Sequence, residues 1–325
     1  MTSSRLSLLA VTAASLSLIV SVAACGPDAR ANVDGNTSNA DGNNSNGDGN
    51  NNNSNCTADG VDLIYTVDTD NKLSSFDPKK LPLNQDPFTL IGTLNCPTTM
   101  QPIEAGSGVS PFSMSVDRNG TAWVLYSTGE VFKVNITNAS CTASGYTAKQ
   151  NNMLLFGMGF VTDAAGATAE KLYIGGGTSA GDPGGRLGRV DTTATPPALS
   201  MLGTLRGDTE QSPELTGTSE SKLYGFYPGA RKAFVQEISK ANGAGSGPEY
   251  NIPGGLGGTA NAWAFAFWGG KFYIFVTTQT DLFSPPVSSV RVIDRATGAA
   301  STALNNLPTP IVGAGVSTCA PVVVE

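Results

Sequence analysis

No histidine occurs anywhere in the 325-residue chain, so the commonest general base and the commonest metal ligand are both missing. Mechanisms that rest on Ser-His-Asp or Cys-His pairs are excluded. Basic charge is also scarce: 19 Lys and Arg stand against 26 Asp and Glu, a net charge of −7. Such a chain offers no cationic footprint to phosphate backbones or anionic headgroups, and no nucleic-acid partner is expected. The 5 cysteines include no C-x-x-C spacing; with histidine absent, a zinc site is not expected either. Segments of helical period are almost missing. Gly175-Gly176-Gly177 and Gly254-Gly255 lie in strand-like context with no helix behind them, which excludes a phosphate-cradling loop.

What is present begins with an address. Residues 1–24 carry one charge, Arg5, then an apolar run from Leu6 through Val22 and the small pair Ala23-Ala24 before Cys25. The run approaches the length of a membrane span, but its frequent Ser and Thr and its small-residue ending read as a secretory signal. Val22-Ala23-Ala24-Cys25 resembles the lipobox of bacterial lipoproteins. The resemblance implies that the Cys25 thiol takes a diacylglyceryl group and that its freed amine is acylated after cleavage. Several chains on one residue suffice for a stable membrane anchor. Gly26 stands where an Asp retains enteric lipoproteins at the inner membrane, which implies the outer membrane, with periplasmic and surface exposure both open.

Residues 25–55 read as a tether. From Ala31 to Asn55 there are eleven Asn among Gly, Asp and Ser, and Val33 is the only sizeable apolar residue, so nothing offsets ordering entropy. A flexible chain of this length spans roughly 30–35 Å. Phrases such as Asp41-Gly42-Asn43 lack the closing acidic ligand of a calcium loop and read as solvated spacer.

Residues 56–325 read as one all-β domain, with short apolar runs broken by Gly, Pro, Asn and Asp. A phrase recurs five times: an aromatic-rich strand, a turn, and a second strand ending in Asp or a polar substitute. The first copy is Leu63-Ile64-Tyr65 with Ser75-Phe76-Asp77, and the last is Phe272-Tyr273-Ile274 with Val292-Ile293-Asp294. Between Asp77, Asn135, Asp191, Ser239 and Asp294 the intervals are 58, 56, 48 and 55 residues, and the two ends together supply 47, one more repeat. A period that closes through the termini predicts a torus rather than an open solenoid. Copies two to five are each preceded by another strand across a tight turn; the first is not, while residues 311–317 form an orphan strand at the C-terminus. The orphan is expected to complete the first blade. The pattern resembles a β-propeller, five blades with six as the alternative count, of the kind found in secreted lipoproteins of myxobacteria-like bacteria. Propellers serve many activities, so the resemblance bears on fold more than function.

Cys56, Cys96, Cys141 and Cys319 lie beyond the reducing cytoplasm, so two disulfides are expected, with three connectivities open. Cys56 precedes the first strand and Cys319 follows the last. Both fall where the ring closes, which predicts Cys56–Cys319, worth ~4–5 kcal/mol at most as a chain-entropy effect. Cys96 and Cys141 then pair by elimination.

Several residues are candidates for a binding role. Asp68, Asp70 and Asn71 gather oxygen ligands that calcium or another divalent cation accepts, although Lys72 follows at once and a solvated hairpin turn is the competing reading. Asp117, in Ser115-Val116-Asp117-Arg118-Asn119-Gly120-Thr121-Ala122-Trp123, is similar to the Asp box of sialidases but with extra residues, and an ordinary turn competes there too. Alternation sets Trp263, Phe265 and Phe267 on one side of a strand and Trp268 on the other, beside Gly269-Gly270. Of these Trp268 is the one better placed for exposure toward a protein or glycan, although inter-blade packing is the favoured reading for it.

The function expected is a non-enzymatic binding or scaffold module for a protein or glycan, displayed on a lipid anchor and needing no cofactor. The rival is a metal-dependent propeller hydrolase or lactonase, with a divalent cation in the central channel held by groups such as Glu104, Asp163 or Glu214. A periplasmic assembly factor is a third reading.

Overall fold

Runs such as Trp123-Val124-Leu125-Tyr126, apolar without polar alternation, suit strands buried on both faces. In a computed structural model of the chain, residues 56–177 and 184–324 are described; Cys25 and the proposed signal and tether lie outside them. The described residues form twenty strands and two short 3-10 turns, and none of their helices is long and apolar enough to cross a membrane.

The strands make five four-stranded antiparallel sheets, the blades of a β-propeller. Blade one contains β1 (Ile64–Asp68), β2 (Lys72–Phe76) and β3 (Phe88–Thr93). Blade two is β4 (Pro111–Val116), β5 (Thr121–Tyr126), β6 (Val131–Asn135) and β7 (Cys141–Ala143). Blade three is β8 (Leu155–Thr162), β9 (Glu170–Gly177), β10 (Arg186–Asp191) and β11 (Ala198–Thr204). Blade four is β12 (Glu214–Gly217), β13 (Leu223–Tyr227), β14 (Ala233–Ile238) and β15 (Gly245–Ile252). Blade five is β16 (Thr259–Trp268), β17 (Lys271–Gln279), β18 (Val287–Asp294) and β19 (Ala300–Asn305). The last strand, β20 (Ile311–Val316), returns to blade one and pairs with β1, Ile64 opposite Val316 and Tyr65 opposite Gly315. The ring thus closes by joining its two ends, as the orphan strand predicts.

Alternate residues of each strand enter the interfaces on either side of the blade. On β5, Val124 and Tyr126 pack toward blade one while Trp123 and Leu125 pack toward blade three. On β17, Tyr273 and Phe275 meet blade one, and Phe272, Ile274 and Val276 meet blade four. One apolar cluster fills each of the five interfaces. The strand-end markers of the repeat are turn builders: Asp77, Asn135 and Asp191 each accept the backbone N–H two residues on, and Asp294 accepts that of Thr297.

The disulfides join Cys56 to Cys319 and Cys96 to Cys141. Although the strand order sets Cys96 and Cys141 in different blades, both lie against the apolar cluster between blades one and two, where they meet.

A cavity at the open end of a one-ended channel

The inner strands β20, β4, β8, β12 and β16 surround the channel, and where they meet the neighbouring blade they carry small residues: Ser113 and Ser115, Gly157 and Gly159, Ala264 and Ala266, Gly313 and Gly315. Smallness is required by the close approach of the blades. A Cβ on Gly157 would lie 2.6 Å from the Pro213 carbonyl oxygen, and one on Gly159 3.1 Å from the Thr216 backbone. Hydroxyls then bind backbone across the interfaces: Ser115 Oγ accepts Phe160 N–H at 2.9 Å, and Thr216 Oγ1 accepts Phe267 N–H at 3.1 Å.

Glu214, at the start of β12, is the ionisable exception on these strands. Its carboxyl passes over Gly157 of blade three and accepts the Ser113 hydroxyl of blade two at 3.0 Å. The N–H groups of Leu215 and Met158 also reach it. Only 2% of the residue is exposed, and burial holds its carboxyl well above the ordinary carboxylate range, so the neutral acid is favoured.

One end of the channel is shut. Beyond β20, residues Ser317, Thr318, Cys319 and Ala320 are all buried. Thr318 Oγ1 donates to Glu170 of blade three at 2.6 Å, and the Pro321 carbonyl accepts Gly269 N–H of blade five at 2.7 Å. Buried Arg118 of blade two donates to the carbonyls of Ala167 and Thr168 at 3.2 and 2.9 Å. Cys56–Cys319 pins the same segment to the start of the domain. Burial raises the Glu170 carboxyl, and its bonds to Thr318 and Arg118 N–H oppose that rise.

The other end opens into a cavity of about 360 Å³ whose lining includes Glu214, Glu104, Phe112, Asn261 and Trp263. Its residues come from segments far apart in the chain, from Thr69 to Val312. A second cavity, about 510 Å³, lies between the outer strands of blades one and five and includes Asp68, Leu81, Phe88 and Leu304.

The candidates from the sequence do not converge on either cavity. Asp68 is buried at the β1–β2 turn, where its Oδ1 accepts Asp70 N–H at 2.9 Å and Lys72 N–H at 2.8 Å; burial raises its carboxyl against the effect of those bonds. Asp70 forms an exposed ion pair with Lys72 at 3.2 Å, and the Asn71 side-chain oxygen accepts the Tyr126 hydroxyl at 3.1 Å. Asp117 sits at the β4–β5 turn on the shut end and accepts Asn119 and Thr121 N–H, both at 2.9 Å, with its carboxyl likewise raised by burial.

Trp268 follows the favoured reading, inter-blade packing, and not the exposed one. It is 3% exposed, and its indole N–H donates to the Asp62 carbonyl at 2.5 Å. Alternation assigns it the correct side of β16, but that side faces blade one and the chain termini instead of solvent. The tryptophan at the cavity is Trp263, half-buried near the start of the same strand, with Phe112 also in the lining.

Of the three groups considered for a cation, Glu104 and Glu214 line one cavity. Exposed Asp163 follows β8 toward the shut end. Among the described residues no group of three or more His, Cys, Asp or Glu is placed to hold a metal ion, and Glu214 is committed to Ser113 and two backbone donors.

No family model matches the chain, and no curated protein is similar to it at a significant level. Among solved structures it is similar to an endo-arabinase from Bacteroides thetaiotaomicron, with 12% identity over 66% of this chain and 82% of that one and a TM-score of 0.41. It is also similar to a structural genomics protein of unknown function from the same organism, with 12% identity, coverage of 76% and 61%, and a TM-score of 0.38. A calcium-binding regucalcin from Agrobacterium tumefaciens gives 11% identity, coverage of 73% and 72%, and a TM-score of 0.35. Likenesses this distant carry no argument about what the chain binds.

Proposed function

We propose that this chain is an outer-membrane lipoprotein of a myxobacteria-like bacterium, with a signal peptide over residues 1–24, a lipidated Cys25, a tether to residue 55 and a propeller over 56–325 that binds a protein or glycan partner without catalysing a reaction. It faces the periplasm or the cell exterior. The anchor rests on Val22-Ala23-Ala24-Cys25. The binding reading is carried by the one-ended channel: the C-terminal segment shuts one end, and the remaining opening is a cavity with a half-buried Trp263 at its wall. A propeller closed in this way offers a receiving surface and no through-path. The metal-dependent hydrolase is the weaker reading, because Glu104 and Glu214 find no third ionisable ligand among the described residues.

The test uses the full chain expressed in a bacterial host. The expected result is palmitate labelling and membrane fractionation that Cys25→Ala abolishes, with an unchanged Tm when chelator is replaced by calcium, magnesium, zinc or manganese. An unlabelled, soluble wild type would overturn the anchor. A cation at a hundred times its Kd adds ~2.7 kcal/mol, or roughly 5–10 °C in a domain of this size; a shift of that order would restore the hydrolase.

A further inference from the structure

The cavity at the open end has a chemistry that narrows the partner. Among the described residues its lining holds carboxyl groups, an amide and hydroxyls, and no Lys or Arg. A phosphate or uronic acid would find no cationic side chain to pair with there, which disfavours anionic ligands. Exposed Asn261 donates to Gln279 Oε1 at 3.1 Å and keeps a second N–H and its carbonyl oxygen for a hydroxyl-rich ligand, whereas Thr277 is buried and its hydroxyl pairs with that of Ser288 at 2.7 Å. Apolar faces complete the set. Trp123 carries the Lys133 ammonium 4.8 Å from its ring centroid and Phe160 edge-on at 6.3 Å, so its ring is occupied. Among the described residues Trp263 and Phe112 have no such ring or cation partner, and both are half-buried at the cavity. A half-buried indole beside neutral hydrogen-bonding groups matches a sugar ring, which presents C–H bonds on one face and hydroxyls at its edge.

Glu214 adds a floor to this site. It is fixed by Ser113 and two backbone N–H groups before any ligand arrives, and no cation is among its partners. A carboxyl committed in this way belongs to the cavity floor and is not a contact for ligand hydroxyls.

We infer that the open-end cavity is a binding site for a neutral oligosaccharide, with Trp263 as the stacking surface and Asn261 as a hydrogen-bonding group for ring hydroxyls. This rests on the binding-module reading and selects the glycan from its two partner classes. A cavity of about 360 Å³ is at the small end for ligand sites and suits one or two sugar residues of a longer chain.

The experiment titrates the full chain with gluco-, manno-, galacto- and xylohexaose, and with hexagalacturonate as the anionic control, by calorimetry and tryptophan fluorescence. The expected result is binding of at least one neutral hexaose with a fluorescence change, since Trp123 and Trp268 are buried and Trp263 is the tryptophan at the cavity. Trp263→Ala should weaken binding about tenfold or more, Trp263→Phe should restore part of it, and Glu214→Gln should bind within a few fold of wild type. Hexagalacturonate should bind about tenfold more weakly than the preferred neutral chain. Absence of binding to all four neutral hexaoses, or binding untouched by Trp263→Ala, or tighter binding of the galacturonate, would overturn the inference. Each of those results leaves the lipid anchor and the cation test standing. Release of reducing ends from a bound hexaose would keep the glycan site and overturn the non-enzymatic reading.

Discussion

The two ends of the channel are built from the same five strands and finished in opposite ways. At the shut end, Thr318 bonds to Glu170, Arg118 to the carbonyls of Ala167 and Thr168, Trp268 to Asp62, and Cys319 to Cys56. Long-range contacts there use polar groups to bind chain to chain. At the open end some turns are held by local bonds, as at Asp68, and others across the blades, as where the Tyr126 hydroxyl donates to Asn71 and Thr69 N–H to the Pro310 carbonyl, and Glu104, Asn261 and Trp263 line the cavity there. The ring is fastened at one end and left open at the other, and the proposed binding role assigns recognition to the open end.

The largest expected effect tests the fastening. In the chain-entropy account, crosslinking across a separation of 263 residues stabilises by about 5 kcal/mol and across 45 residues by about 4. Only Cys56–Cys319 joins the two ends of the ring, so its loss also frees the segment that shuts the channel. Calorimetry of Cys56→Ser with Cys319→Ser should show a Tm drop of about 10 °C or more. Cys96→Ser with Cys141→Ser should cost less. An equal or larger drop from the second pair would mean that the ring closure owes its stability to β20 pairing alone.

An intermediate effect contrasts the two buried glutamates. Burial raises both carboxyls, but Glu170 is reached by Thr318 and by Arg118, whereas Glu214 is reached by Ser113 and the N–H groups of Met158 and Leu215, with Glu104 elsewhere on the cavity wall. A carboxyl whose folded pKa is raised contributes stability that is full below its unfolded pKa and is lost as pH rises through its folded one. Wild type should therefore lose Tm as pH climbs above the ordinary carboxylate range. Glu214→Gln keeps an acceptor for Ser113 without the charge, so it should flatten that loss and melt a few degrees higher than wild type at pH 8. A parallel pH profile in the variant would mean that Glu214 is ionised in the folded protein.

Much of the fold is legible in the sequence because a propeller blade buries both faces of its inner and second strands. That turns β5 and β17 into apolar runs and leaves Asp or Asn at the strand ends to cap turns. The composite first blade is legible from an unpaired strand at 311–317, and the ring-closing disulfide from the places of Cys56 and Cys319 beside it. The outer strands β7, β15 and β19 are not legible, since exposure lets them be polar: β15 reads Gly-Ser-Gly-Pro-Glu-Tyr-Asn-Ile. Periodicity also assigns a side chain to a face without saying what covers that face. The residue that binds Trp268 lies 206 positions away, and the hydroxyl that binds Glu214 lies 101 positions away. The cavity depends on contacts of this kind, and for that reason the tryptophan at its wall is Trp263.

The smallest effect decides whether the acidic candidates belong to either end's function or to its turns. Asp68 at the open end and Asp117 at the shut end hold the same geometry, each accepting the N–H groups two and four residues on at 2.8–2.9 Å. Replacing either by Ala leaves those donors without their partner and should cost about 1–2 kcal/mol, with Asn restoring part of it. Asp70 pairs with Lys72 in solvent, their side chains 56% and 45% exposed, so Asp70→Ala should stay within about 0.5 kcal/mol of wild type. Equal costs for Asp68→Ala and Asp117→Ala in urea unfolding, with hexaose affinity unchanged in both, identify the two carboxylates as turn caps. If Asp68→Ala instead leaves stability intact and weakens hexaose binding, the open end recruits that turn into its site, and the symmetry between the two caps is only geometric.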